Sequence, residues 1–78
     1  MENEFLINVN WMSRGGNLEL LIIPAKHFFN VFLDDQEVCR LRKDKELNWY
    51  DLNKELDNYS AEIIGLGIDL YCFESPLF

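Results

Sequence analysis

Apolar and polar positions alternate with a period of two through the first fifty residues. Phe5, Ile7, Val9 and Trp11 alternate with Leu6, Asn8, Asn10 and Met12, which predicts a strand with one strongly apolar face. Ser13-Arg14-Gly15-Gly16-Asn17 then reads as a turn, because adjacent glycines supply positive φ at no steric cost. Residues 18–23 predict a second strand. Leu18, Leu20 and Ile22 share one face, and Glu19, Leu21 and Ile23 the other. Pro24 ends it, since proline cannot donate to a ladder. Residues 28–33 form a third predicted strand, Asp34-Asp35-Gln36 a turn of short Asx side chains, and residues 37–42 a fourth strand. A charged loop at 43–46 leads to a short fifth strand at 47–51, carrying Trp49 and Tyr50.

The last third changes period. Residues 52–59 are polar and turn-like. Ser60 then reads as an N-cap, with Glu62 in the first turn, where a carboxylate favours the helix dipole. Ala61, Ile64, Ile68, Tyr71 and Cys72 fall at helical spacing. Ile63, Leu66 and Leu70 widen that side, leaving Glu62 and Asp69 as a narrow polar stripe. This predicts a mostly buried helix over 61–73. A strand is the rival, because Ile64, Leu66, Ile68, Leu70 and Cys72 also alternate, and Gly65 and Gly67 each cost a helix about 1 kcal/mol against Ala. The glycines fit a helix that lies close against a sheet. The expected architecture is α+β: an antiparallel five-stranded β-meander with one C-terminal helix packed on one face of the sheet.

Seventy-eight residues suit one small domain, 1–78. Apolar residues make up 49% and charged residues 27%, which excludes a wholly disordered chain. A core this small is marginal, so a partner subunit is a natural remedy. Seven Lys and Arg against fourteen Asp and Glu give a net charge of -7. That argues against life on nucleic acid or on an anionic membrane. No stretch approaches the ~20 apolar residues of a membrane span. Met1-Glu2-Asn3-Glu4 is acidic and unlike the start of a signal peptide, so a cytoplasmic chain with both Cys39 and Cys72 reduced is expected.

Candidate chemistry is sparse. One His and two distant Cys, with no Cys-x-x-Cys pair, argue against zinc. No cofactor motif is present: Gly65-Leu66-Gly67 sits inside the apolar segment with no following Lys, unlike a phosphate loop. Asp34-Asp35-Gln36-Glu37 lacks the frame of a calcium loop and reads as a solvated turn. His27 has no nucleophile or carboxylate set beside it in sequence. Cys39, expected on the side of Glu37 and Leu41, and Cys72 read as small buried hydrophobes. Arg40, Arg42, Lys43 and Lys45 form one basic patch. Interleaved with Phe28 and Phe32 it resembles a single-strand nucleic-acid surface, but ion pairs to Glu37, Asp44 and Glu46 are its expected use.

The informative feature is apolar surface left over. If the helix covers the face of Phe5, Ile7, Val9 and Trp11, then Leu6, Met12, Leu21 and Ile23 face away, with Phe28 and Phe32 on the third strand. Leu77 and Phe78 in the tail add to it. Such patches mark interfaces, unless the tail and residues 52–58 fold across them; both coverings stand open. The leading expectation is a non-catalytic interaction domain, self-associating as a homodimer or docking another protein. The alternative is an acidic inhibitor or immunity-type protein that neutralises a basic partner such as a nuclease, through Asp44, Glu46, Asp51, Glu55, Asp57 and Glu62.

Overall fold

The computed structural model describes residues 4–74. Strand β1, Phe5–Trp11, alternates strictly between buried and exposed side chains. It pairs antiparallel with β2, Gly16–Pro24, and β3 (Phe29–Leu33), β4 (Gln36–Lys43) and β5 (Trp49–Asp51) follow in chain order, each antiparallel to the last. The helix α1, Asn58–Glu74, ends the described chain. The fold is therefore the expected α+β meander with one C-terminal helix, and the segment at 61–73 is helical rather than extended.

Local chemistry makes the turns. Gly15 and Gly16 take φ of 106° and 108° beside a short 3-10 turn, Met12–Arg14. Asp34 and Asp35 both adopt positive φ, 52° and 69°, the conformation of a tight hairpin that keeps the strand twist. The β4–β5 turn is built by Asp44, whose carboxylate accepts the backbone N–H groups of Glu46 and Asn48 at 2.8 and 2.9 Å. Leu47 stands in this turn at φ 69°, largely exposed. The fifth strand thus begins at Trp49 and not at 47.

The helix lies against β1 and β5, the first and last strands of the sheet. Four strand spacings of about 4.8 Å would separate those edges by roughly 19 Å in a flat sheet. The helix runs along β1, from Ser60 at Trp11 to Tyr71 at Phe5, while Glu62, Gly65 and Asp69 of the same stretch touch Trp49 of β5, so the sheet curls around it. Inside the curl, Trp11, Leu20, Ile22, Val31, Leu41, Ile64 and Ile68 are fully buried. Gly65 and Gly67 allow the approach: a Cβ on Gly65 would overlap the Trp49 ring, and one on Gly67 would lie 2.9 Å from Ile7 Cδ1. Phe5 stacks on Tyr71 at 3.9 Å between ring centroids.

Four expectations are corrected. Ser60 is not the cap. The helix starts two residues earlier, Asp57 accepts the Ser60 backbone N–H at 3.3 Å, and the buried Ser60 hydroxyl accepts the Trp11 indole N–H at 2.9 Å. Glu62 lies beyond the first turn and accepts the Trp49 backbone N–H at 3.3 Å. The helix is not mostly buried, for Leu66 and Leu70 are 56% and 60% exposed. Glu37 does not share the side of Cys39 and Leu41. The β3–β4 register shifts between Val31 and Phe32, pairing them with Cys39 and Glu37 and skipping Val38; this bulge turns Glu37 to the outer face.

Candidate functional site

The face of the sheet away from α1 is set by the strand registers. Leu6 pairs with Leu21 and Leu21 with Phe32, so these three form one apolar row across β1, β2 and β3, projecting outward. Ile23 lies two residues along from Leu21 on the same face. Leu6 is 55% exposed; Leu21, Ile23, Phe28 and Phe32 are half-buried by their neighbours. Met12 is exposed, but in the 3-10 turn at the end of β1 and not on the sheet face. Leu77 and Phe78 lie outside the described residues. Of the two leucines in residues 52–57, Leu56 packs against the core, while Leu52 is half-buried outside it.

Charge borders the row. The bulge at Val38 brings Glu37 and Arg40 to one face although they are three apart, and their side chains pair at 3.2 Å. The Arg40 guanidinium stands 6.0 Å from the Phe28 ring centroid. The basic patch is thereby divided. Arg40 belongs to Glu37 and Phe28, while Lys43 turns to the helix side, where its ammonium lies 2.8 Å from Asp69 and 5.0 Å from the centre of the Trp49 ring. Arg42 and Lys45 remain exposed. Of the expected ion pairs, the one to Glu37 forms, whereas Asp44 serves its own turn.

Most of the carboxylates expected to meet a basic partner have internal work. Asp51 is buried. Its Oδ1 accepts the N–H groups of Arg40 and Asn53 at 3.5 and 3.1 Å, and its Oδ2 those of Glu55 and Leu56 at 3.1 and 3.0 Å. Asp57 caps α1, and the hydroxyl and N–H of Ser60 hold its carboxyl below the usual range. Asp69 accepts the Trp49 indole N–H at 3.0 Å besides the Lys43 ammonium. Glu46 and Glu55 are exposed.

The thiols are poor nucleophiles. Burial pushes Cys39 up to about 12, with the charges of Asp51 and Glu37 adding to it. Cys72 is raised by burial and then by Asp69. His27 is exposed. A shallow depression of about 250 Å³, lined by Arg14, Leu33, Asp34, Gln36, Glu37 and Val38, lies beside the β3–β4 turn. Among the described residues no three His, Cys, Asp or Glu side chains cluster to hold a metal, and no helix is long and apolar enough to cross a membrane.

The helix carries a second apolar surface. Tyr59, Leu66 and Leu70 project from the outer side of α1, 67%, 56% and 60% exposed, with half-buried Ile63 between them. Their spacing of four, three and four is legible in the sequence, but so is the stripe of Ala61, Ile64 and Ile68, and only the sheet decides which stripe is covered. Comparison with protein-family models, with curated proteins and with solved structures finds no match for this chain.

Proposed function

We propose that this chain is a non-catalytic protein-interaction domain that pairs with a second copy of itself through the outer face of its sheet. The observation that carries the reading is the Leu6–Leu21–Phe32 row, apolar across three adjacent strands and open on the side away from α1. Covering such a row in a second copy removes apolar area from water, and each 100 Å² covered contributes about 2.5 kcal/mol before association costs. The groups bordering the row have both signs, with Glu19 beside it on β2 and Arg40 and Arg42 on β4, as a self-complementary surface needs. The non-catalytic part is supported by the buried Asp51 and Cys39 and the half-exposed Asp69, which are committed to backbone, core and indole in turn.

The rival reading, an acidic inhibitor of a basic partner, retains the charge of -7. It is weakened because Asp44, Asp51, Asp57 and Glu62 accept N–H groups of the chain itself. Sedimentation equilibrium tests the dimer. A twofold mass at high micromolar concentration, lost in Leu6→Glu, is expected, and a strict monomer throughout that range overturns the proposal.

A further inference from the structure

We infer that the outward side of α1 is a second docking site, and that its occupant is a basic amphipathic helix of another protein. The inference goes beyond the sheet-face dimer and does not depend on it.

The stripe of Tyr59, Ile63, Leu66 and Leu70 steps by four, three and four residues along the helix. This is the alternation of a and d positions in a helix-to-helix seam, where each side chain enters a hole made by four residues of the facing helix. Eleven residues separate its ends, roughly 16 Å of helix axis. A facing helix of at least about three turns spans that length, whereas an extended segment, with its side-chain period of two, does not follow the stripe. The opposite side of the same helix, at Ala61, Ile64 and Ile68, is closed by the sheet, so α1 is apolar on two sides and covered on one.

The surrounding charge selects the occupant. Residues Asn58–Glu74 include no Lys, Arg or His, and no cation stands in the last turn to offset the negative end of the helix dipole. Asp57 is exposed two residues before Tyr59. Glu62 beside Ile63 is bonded only to a neutral backbone N–H; Asp69 alone is balanced, by Lys43. A second copy laid on this stripe would bring no Lys, Arg or His of its own helix to Asp57 and Glu62, and an anionic lipid surface would be repelled by them. A helix with leucines along one seam and lysines beside it meets apolar surface with apolar surface and negative rim with positive flank.

The test uses a designed 18-residue helical peptide with Leu at a and d and Lys at e and g, titrated into the full chain. Saturable binding is expected, with amide shifts confined to residues 57–72. It should weaken at least tenfold between low and moderate salt, and at least tenfold in Leu66→Gln/Leu70→Gln, both exposed positions that leave the core intact. The same peptide with Glu at e and g should bind at least tenfold more weakly. Leu6→Glu should leave peptide binding unchanged, which separates this site from the sheet-face dimer. The inference is overturned by absent binding, by shifts on the sheet face, or by binding indifferent to Leu66→Gln/Leu70→Gln. It is equally overturned if that double variant abolishes self-association, or if it abolishes binding to phosphatidylcholine vesicles, since the occupant would then be a second copy or a lipid surface.

Discussion

Gly65 of α1 rests directly on the indole ring of Trp49 in β5, with no space between them for a Cβ. This contact sets the height of the helix over the sheet. It also places Asp69, one turn further on, where its carboxylate takes the Trp49 indole N–H. A helix tolerates glycine at a cost of about 1 kcal/mol against alanine, and here the close approach offsets that cost.

Gly65→Ala should therefore destabilise the fold by roughly 2–3 kcal/mol, as overpacking against a rigid ring does, despite the better helix propensity. Gly67→Ala is the control. Its Cβ meets the movable end of Ile7 at 2.9 Å and Val9 Cγ1 at 3.2 Å, and the propensity gain opposes the strain. It should stay within about 1 kcal/mol of the parent. Urea unfolding of the two variants separates them; equal losses would show that Trp49 does not set the approach.

Asp51 organises the connection from sheet to helix by accepting four backbone N–H groups while buried. Asp51→Ala leaves those donors without partners, and should cost roughly 3–5 kcal/mol. Asp51→Asn retains one acceptor oxygen and should fall between the two. Amide hydrogen exchange at Glu55 and Leu56 reads the same loss locally. Unchanged protection there in Asp51→Ala would mean that the loop holds itself.

Leu47 occupies the left-handed region at φ 69° with its side chain largely exposed. That conformation costs an L-residue about 1–2 kcal/mol, and the exposed side chain returns little packing. Leu47→Gly relieves the strain at the expense of some unfolded-state entropy. A net gain of about 0.5–1 kcal/mol in chemical denaturation is expected. A loss would show that Leu47 contributes contacts that its exposure conceals.

The strands were legible because each one hides one face and wets the other, and nothing distant is needed to read a period of two. The hairpin turns were legible through Gly15-Gly16 and Asp34-Asp35, whose backbones take the positive φ those residues tolerate. The helix was legible in kind but not in orientation. It carries apolar side chains on two sides, so the pattern alone gave no reason to expose Leu66 and bury Ile64. Ser60 resembled a cap because hydroxyls favour that place, yet the Trp11 indole, 49 positions away, claims its oxygen. Strict alternation puts Glu37 on the side of Cys39, but a bulge at Val38 breaks it, and no Gly or Pro announces the bulge. The helix orientation and the role of Ser60 depend on contacts with strands remote in sequence, whereas the bulge and the late start of β5 come from hairpin and turn geometry that no residue type marks. For the candidate site, the registers placed Leu6, Leu21, Ile23 and Phe32 together as the alternation required, while Met12 left the face because the chain tightens into a 3-10 turn after Trp11.

Cys39 gives the fold an alkaline limit. Its thiol is held up to about 12 in the folded chain, first by burial and then by Asp51 and Glu37, against an ordinary value of 9.0. Below pH 9 the thiol is protonated in both states, and its contribution is fully present. Above pH 9 the unfolded chain releases the proton and the folded chain keeps it, so the unfolded state binds fewer protons and stability falls as pH rises toward 12. By pH 10 the loss from this group amounts to about 1 kcal/mol. Cys39→Ala removes the titration and leaves a small cavity costing about 1 kcal/mol at neutral pH. Urea unfolding at pH 7, 8.5, 9.5 and 10 should therefore start with the parent chain more stable and end with the two curves converging. All other groups are common to the two chains, so the difference isolates Cys39. Curves that stay parallel would mean that Cys39 ionises in the folded chain as readily as in the unfolded one, and that its burial does not exclude the charge.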